Sequence, residues 1–288
     1  MARSVCIIDT GLPGLAEPVS ARQLEKMHPL WATDLASLAP QNHRKAPCPA
    51  DALLLCGPCT STMDVARELV ERGALGPWGS VLAPMQAAGR GQLRRSWVSR
   101  PGNLLATLVC PPAPKPWSDL RPLVFGHLFA EALSELGESA QVKWPNDILC
   151  NGKKVAGMLV EERPGCILVG VGVNLAWAPP PEDLRAGRAM DAGQYHPSKE
   201  GVGPTQLWRA LVNRVETGYM LLLEAFSPKE FLTIFRTRMS WLGGRVLVSE
   251  GASVRYEAIV KGISEEGGLV LDRAGQEVVL LAGDVTPV

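Results

Sequence analysis

The sequence predicts an α+β fold that ends in a small all-β domain. Short apolar runs typical of buried strands alternate with helical patterns between residues 53 and 240. Residues 241–288 change character, because short alternating segments recur there between glycine turns. The 288 residues, of which 46% are hydrophobic, are enough to form a packed core in one large domain or two unequal ones. We therefore expect a mixed domain followed by a small β-barrel.

Charge and hydropathy exclude several classes of protein. The formal net charge of +0 argues against a general nucleic-acid-binding surface. No apolar run approaches the ~18 residues that a membrane span requires. The opening "MARSVCIIDTG" places Asp9 and Gly11 where a signal peptide would continue its apolar segment. We expect a cytoplasmic protein that binds neither DNA nor a membrane.

The chain divides into three predicted regions, which are residues 1–50, 51–240 and 241–288. The first is rich in proline and alanine, and only "SARQLEKMH" within it favours a short helix. It shows no pair of helical patterns joined by a tight turn, so we predict no DNA-binding helix-turn-helix. This N-terminal extension, of unknown role, is expected to pack on the main domain or to be partly flexible.

The main domain begins with a strand and a helix. Residues 53–56 form an apolar run typical of a buried strand. Residues 63–72 follow with a helical pattern, for which Ser61 or Thr62 is the candidate N-cap. Gly73 is placed to end this helix.

The remaining elements follow from the same signals. "NG" at residues 151–152 lies between two apolar runs and predicts a tight β-hairpin, with Lys153 and Lys154 opening the returning strand. Residues 178–203 are predicted to be a loop. Further strands are expected at 80–86, 103–110 and 166–177, and further helices at 121–136, 205–226 and 228–240.

Three segments combine positive or amide groups with glycine or proline. "GRGQLRRSW" at 89–97 pairs close-approach glycines with three arginines that suit phosphate or carboxylate. "KWPND" at 143–147 brings a cation, an amide and a carboxylate into five residues. "KVAG" at 154–157 places a lysine and a glycine on one strand. None of them matches the GxxxxGK[ST] phosphate loop, so a P-loop NTPase is not expected.

"CGPC" at residues 56–59 raises the alternative of a thioredoxin-like dithiol. The tryptophan that usually precedes this motif is missing. His43, Cys48, Cys56 and Cys59 could also form a zinc site, but their spacing is irregular and prolines lie among them. The odd count of seven cysteines, without a regular framework, fits a reducing compartment.

The order of the motifs resembles bacterial biotin–protein ligases. The segments "STMD", "MQAAGRGQLRRSW", "KWPNDI", "GKKVAGMLVE" and "VGVGVNL" carry the resemblance, which spans about residues 53–288. It implies a mixed, mainly antiparallel sheet with flanking helices, as in class II synthetases. It also implies that the C-terminal barrel is SH3-like.

The resemblance implies an activity and its partners. Members of this family form biotinyl-5′-AMP from biotin and ATP with Mg²⁺. They then transfer biotin to a lysine in the biotin carboxyl carrier domain of a biotin-dependent carboxylase. Some members are monomers and others homodimers, so the sequence leaves the oligomeric state open, and it does not name the acceptor.

The resemblance also implies roles for individual residues. Lys154 and Arg90 match the family's catalytic cations. The biotin-binding set corresponds to Ser61, Thr62, Gln86, Gly89, Arg90, Gly91, Gln92, Lys154 and Gly157. The ATP-binding set corresponds to Arg95, Trp97, Lys143, Asn146, Asp147 and Asn174, with Mg²⁺ expected near Asp147.

Three departures from the family pattern affect the predicted site. Met63 stands where the family usually has asparagine, which puts one hydrogen bond to the ureido ring of biotin in doubt. Gln92 replaces the second arginine of the loop, which in the family helps to retain the acyl-adenylate. Arg94 stands where a glycine is common, and it could compensate from a shifted loop.

Two other interpretations compete with the ligase. A lipoate or octanoate ligase of the same superfamily usually carries an "RRxSGGG" stretch and a histidine–aspartate pair, and neither is present. A non-catalytic biotin-binding or regulatory protein is motivated by Met63 and Gln92. Release of pyrophosphate on mixing with biotin and MgATP would separate the enzyme from the binder.

Overall fold

The computed structural model describes residues 4–7, 11–12, 14–37, 48–92, 96–184, 190–251 and 254–288. Arg94 and Arg95, both singled out from the sequence, lie outside these residues. Within them the chain forms an eight-stranded sheet and a five-stranded sheet.

The main sheet is mixed and mainly antiparallel, as predicted. Its strand order is β1-β2-β3-β4-β8-β7-β6-β5, and only the β1–β2 and β2–β3 pairs are parallel. The strands are β1 (Val5–Ile7), β2 (Leu53–Leu55), β3 (Ser80–Leu82), β4 (Leu104–Cys110), β5 (Ala140–Lys143), β6 (Asp147–Cys150), β7 (Lys153–Arg163) and β8 (Cys166–Val173).

Helices cover both faces of this sheet. Successive strand residues face opposite sides, so Leu54 packs with α3 while Leu53 and Leu55 pack with the cluster that contains α4 and α5. Aromatic rings join α4 to α5, since Phe129 stacks on Trp208 with ring centroids 5.9 Å apart. The helices are α1 (Ala21–Met27), α2 (Pro29–Ser37), α3 (Thr62–Glu71), α4 (Arg121–Leu136), α5 (Pro204–Ala225) and α6 (Pro228–Arg236).

The hairpin predicted at residues 151–152 is present. Asn151 and Gly152 have φ values of 50° and 75°, the left-handed conformations that a two-residue type I′ turn requires. The strand predicted at 80–86 was too long: β3 ends at Leu82, and Pro84 has no N–H to continue the hydrogen bonding beyond Ala83. Strand β8 ends at Val173 and helix α6 at Arg236, both earlier than predicted.

The N-terminal segment is more ordered than its composition indicates. Strand β1 forms the edge of the main sheet. The short helix expected at residues 20–28 is present as α1, and α2 directly follows it. The sequence pattern indicated only the first of these two helices. Helices this short carry too few residues to show a period, and tertiary packing stabilises them. Leu24 and Trp31 are fully buried in the main core.

The C-terminal region is a five-stranded antiparallel sheet, in agreement with the predicted small barrel. Its order is β12-β11-β10-β9-β13. Trp144 of the main domain donates from Nε1 to the carbonyl oxygen of Gly267 at 2.9 Å, so the two regions touch beside "KWPND". The strands are β9 (Arg245–Glu250), β10 (Val254–Ile263), β11 (Leu269–Arg273), β12 (Gln276–Leu280) and β13 (Asp284–Pro287).

No helix in the described part of the chain is both long enough and apolar enough to span a bilayer.

Candidate functional site

A cavity of about 150 Å³ opens on the α3 face of the main sheet. It gathers residues from the start of α3, the loop after β3, the "KWPND" segment and the glycine-spaced strands β7 and β8. Twelve of the residues predicted for the site line it: Ser61, Thr62, Gln86, Arg90, Gly91, Gln92, Trp97, Lys143, Asn146, Asp147, Lys154 and Gly157.

The other described residues of the predicted site lie next to this cavity. Asn174 lines an adjoining cavity of about 370 Å³ that shares Lys143, Asp147 and Lys154 with the first. Its amide donates to the carbonyl oxygen of Gly193 at 3.1 Å. Gly89 closes the base of the arginine-containing loop, since its carbonyl accepts from the backbone N–H of Trp97 at 2.9 Å.

One end of the cavity is polar and uncharged. The backbone N–H and hydroxyl of Thr62 donate to Gln86 Oε1 at 2.7 and 3.2 Å. Thr107 donates to the Thr62 hydroxyl at 2.9 Å, and this threonine was not singled out from the sequence. The Ser61 hydroxyl caps α3 by accepting from the Met63 N–H at 3.3 Å. These fixed donors and acceptors suit a compact polar ring.

Met63 forms an apolar wall at the same end. A side-chain carbon added to Gly170 would lie 2.8 Å from Met63 Sδ, so the methionine packs on the bare glycine. The next residue, Asp64, turns away from the cavity and binds Arg90 at 2.7 Å and Arg67 at 2.9 Å. Asp64 therefore does not replace the polar group that Met63 lacks.

A salt bridge with Asp64 holds Arg90 in place. The Arg90 side chain is 40% exposed, and the carboxylate that binds its guanidinium belongs to the buried Asp64 in the first turn of α3. A carboxylate at this helix position is also favoured by the N–H groups of that turn. A bridge between Arg90 and Ser96 draws the two ends of the loop together.

The other end of the cavity is a network of charges. Asp147 binds Lys154 through Oδ1 at 2.6 Å and Lys143 through Oδ2 at 3.1 Å. Lys143 Nζ also binds Asp284 Oδ1 at 2.7 Å. Asp284 opens strand β13, so the C-terminal region contributes to the site. Its role was not predicted from the sequence, although the "GDV" that contains it belongs to the segment resembling the family.

This network shifts the pKa values of its members. Burial by itself would raise the pKa of Asp147, but Lys154 and Lys143 outweigh burial and hold the pKa below its ordinary value. Burial would lower the pKa of Lys143, but Asp147 and Asp284 outweigh burial and raise it. The carboxylate and the ammonium group therefore stay charged at neutral pH.

Trp97 packs against Gly157, one of the residues for which the resemblance implies a contact with biotin. A side-chain carbon on Gly157 would lie 2.9 Å from the indole, and Gly172 faces the same ring. Lys154 Nζ lies 5.4 Å from the ring centroid, within the range of a cation–π contact. The two glycines thus accommodate Trp97 in this structure.

Asn146 connects "KWPND" to the next strand. The side-chain amide of Asn146 donates to the backbone carbonyl oxygen of Met158. In return, the backbone carbonyl oxygen of Asn146 accepts from the Met158 N–H at 3.0 Å. It lines the cavity, but the structure uses its amide group to position the turn.

The "CGPC" cysteines do not have the features of a redox site. Cys56 and Cys59 are free and buried. The hydrogen bond with Cys56 is the largest of the effects that raise the pKa of the Cys59 thiol, and burial is the next largest. A reactive thiol needs a lowered pKa instead.

The zinc alternative gains no support either. Cys48 is joined to Cys6 in a disulfide that was not predicted from the sequence, and His43 lies outside the described residues. Within the described ranges, no group of three or more His, Cys, Asp or Glu residues could hold a metal ion.

Comparison with known proteins gives consistent matches. The model of the biotin/lipoate A/B protein ligase family matches residues 57–176. A biotin–[acetyl-CoA-carboxylase] ligase of Paracoccus denitrificans is 31% identical over 210 residues, which cover 69% of this chain and 86% of that one. The corresponding ligase of Mycobacterium tuberculosis is 30% identical over 214 residues, covering 71% and 77%.

Solved structures agree with these relatives. The biotin protein ligase of Aquifex aeolicus in complex with biotin and ATP has a TM-score of 0.65 at 25% identity, covering 81% of this chain and 97% of that one. The Leishmania major biotin protein ligase in complex with biotinyl-5-AMP has a TM-score of 0.58 at 26% identity, covering 82% and 100%. The chain described here belongs to the biotin–protein ligase family.

Proposed function

We propose that this chain is an ATP-dependent biotin–protein ligase, which forms biotinyl-5′-AMP and transfers biotin to a lysine of a carboxylase biotin-carrier domain. The observation that carries the proposal is one cavity with a neutral polar end at Thr62 and Gln86 and a charged end at which Lys154 supplies an ammonium group. Biotin has matching ends, because its ureido ring is neutral and polar while its valeryl tail ends in a carboxylate.

The first reaction joins two anions. A carboxylate oxygen of biotin attacks the α-phosphorus of ATP, and pyrophosphate leaves with the electrons of the broken P–O bond. Lys154 and Arg90 reduce the repulsion between the reactants and stabilise the negative charge that builds up on the phosphoryl oxygens. In the second reaction the acceptor amine attacks the acyl carbon and AMP leaves.

The adjoining cavity is a suitable place for the nucleotide. It shares Lys143, Asp147 and Lys154 with the first cavity, so a ligand there would meet biotin's carboxylate at Lys154. Trp97 lines both cavities and is placed where they join. We propose that Lys154 contacts both reactants and that Asp147 fixes its orientation.

Mg²⁺ enters this proposal as a companion of ATP. Asp147 does not fit a resident metal site, because both of its oxygens are already paired with lysines. ATP phosphates carry their own Mg²⁺, so the substrate is MgATP. We further propose that the reaction takes place in the cytoplasm and leave the monomer and homodimer as alternatives.

The polar end also favours biotin over lipoate. Lipoate carries a dithiolane ring, which has no N–H donor and no carbonyl, whereas Thr62 and Gln86 present a fixed set of polar groups. An apolar ring can exchange no hydrogen bonds with these polar groups, whereas a ureido ring can, and the dithiolane therefore forgoes that part of the binding free energy. We therefore propose that lipoate is a poor substrate.

Transfer of labelled biotin to a purified carrier domain tests the proposed function. We expect pyrophosphate release with biotin and MgATP, followed by label on the carrier, and no label when ATP is omitted or when the acceptor lysine is replaced by arginine. Biotin binding without pyrophosphate release would instead favour the non-catalytic binder. Faster labelling with lipoate would favour the lipoate ligase.

The Gln92→Arg variant is expected to hold the adenylate longer than the wild type. An added guanidinium can form a charge-assisted hydrogen bond with the intermediate, which corresponds to a decrease of roughly tenfold in its release rate. Release of labelled adenylate from the washed complex measures the rate. Gln92→Leu is the control, because it changes the side chain without adding charge. Equal release rates for the arginine variant and the wild type would show that Gln92 does not cause leakage.

A further inference from the structure

The turn that precedes the polar end of the cavity is bonded to chain segments on both sides. On one side, Cys59 donates its N–H to Met85 at 3.1 Å, and the Cys59 carbonyl accepts from Ala87 at 2.8 Å. These bonds align the turn with the segment that carries Gln86.

On its other side the same turn pairs with the N-terminal segment. Glu17 donates its N–H to the carbonyl of Pro58 at 2.8 Å, and Gly57 donates to the carbonyl of Glu17 at 3.2 Å. Thr60 donates to the carbonyl of Leu15 at 2.8 Å, and Ala16 bridges Cys59 in antiparallel fashion. Residues 57–60 are therefore the middle segment of a small three-segment ladder.

The contact with the N-terminal segment is close. A side-chain carbon added to Gly57 would collide with the carbonyl oxygen of Glu17, so only glycine permits this approach. Leu12 and Ala16 are buried in the cluster that contains α3. The exposed side chain of Glu17, in contrast, points away from this contact.

The N-terminal segment is anchored at two further places. Strand β1 pairs in parallel with β2, which leads directly into the turn. After α1, the buried carboxylate of Asp34 accepts from the N–H groups of Thr205 and Gln206, and so caps the start of α5. The segment is thus fixed before and after the residues that contact the turn.

We propose that Leu12 and residues 14–17, which we call the N-terminal brace, position the biotin-ring end of the site. Ser61 and Thr62 follow the braced turn directly, and Gln86 lies on the segment bonded to the turn's other side. The brace fixes the turn, and the turn fixes the separation between Thr62 and Gln86. The proposal rests on the proposed function, and it assigns a role to a region for which no sequence pattern indicates one.

The Glu17→Pro variant tests the brace, with Glu17→Ala as its matched control. Proline removes the N–H that donates to Pro58, whereas alanine keeps it and only shortens an exposed side chain. Ala16, the residue before the substituted position, forms a β-bridge with Cys59 and is therefore extended. A residue that precedes proline favours this extended conformation, so the substitution is compatible with the backbone at Ala16. We expect proline to raise the KM for biotin about tenfold, because small misplacements of binding groups have large effects.

The KM for ATP and the kcat separate positioning from a general loss of structure. We expect proline to leave both within about twofold of the alanine control, since Lys154 lies at the other end of the cavity. Equal biotin KM values for the two variants would overturn the proposal, and so would a parallel loss of biotin and ATP binding. If the wild type itself releases no pyrophosphate, the proposed function has failed, which is a separate result.

Two further measurements apply if Glu17→Pro does not fold. Gly57→Ala disturbs the same contact from the other side and is expected to raise the biotin KM in the same way. Amide hydrogen exchange on the wild type needs no variant, and we expect biotin to slow exchange at the N–H groups of Glu17 and Thr60. The proposal would be overturned if biotin left the exchange rates of both amides unchanged.

Discussion

Replacing Lys154 with alanine is expected to lower kcat for adenylate formation by about 100- to 1,000-fold, the usual effect of removing one preorganised donor to a developing anion. Lys154 is the second residue of β7, and its ammonium group lies 2.6 Å from Asp147, which orients it towards both cavities. Truncation removes the cation and leaves Asp147 with Lys143 alone. The variant should therefore lose rate and not merely affinity.

Lys153→Ala is the matched control for this experiment. Lys153 precedes Lys154 on the same strand but is exposed and lines neither of the two cavities that share Lys154. We expect it to release pyrophosphate at close to the wild-type rate. Single-turnover kinetics with saturating biotin and ATP compare the chemical steps directly. A Lys154→Ala variant with a normal single-turnover rate would show that another group supplies the charge.

The sequence predicted those parts of the site whose chemistry is local. "KWPND" and "KVAG" each place their charged and small residues within a few positions, so the residue types and their spacing are enough to indicate a binding role. The Asn151–Gly152 turn then brings the two segments together, because a two-residue hairpin sets the register of its strands. Local signals therefore located Asp147 and Lys154 correctly.

The parts that escaped prediction depend on contacts between distant segments. Asp284 lies 141 positions from Lys143, and no local pattern links an aspartate in a short β-strand to a lysine in another sheet. The N-terminal brace acts mainly through backbone N–H and C=O groups, which every residue type except proline offers alike. Side-chain composition therefore could not indicate that residues 15–17 contact the turn.

Replacing Lys143 with methionine is expected to destabilise the fold by about 3–5 kcal/mol, the usual result of removing one partner from a buried ion pair. Only 5% of Lys143 is exposed, and its ammonium group separates the carboxylates of Asp147 and Asp284. Without it, two partly buried carboxylates face each other across the contact between the main domain and β13. Urea unfolding of the wild type and the variant measures the difference.

Asp284→Asn is the comparison that identifies the cause. It removes one carboxylate but leaves the Lys143–Asp147 pair intact, so we expect a smaller loss of stability than for Lys143→Met. Combining the two substitutions should restore part of the stability lost in Lys143→Met, because one of the opposing carboxylates is then neutral. Strict additivity of the two losses would mean that the lysine and Asp284 are not coupled.

The pH dependence of stability provides an independent check on the same network. The pKa of Asp147 is lowered by folding, so its contribution is present above its unfolded pKa near 3.8 and is lost as the pH falls through the lower folded value. The pKa of Lys143 is raised, so its contribution is complete below 10.5 and is lost only as the pH rises through the folded value. The difference in unfolding free energy between wild type and Lys143→Met should therefore be nearly constant around neutral pH. It should shrink in acid, where protonation of the two carboxylates removes the repulsion that the variant exposes.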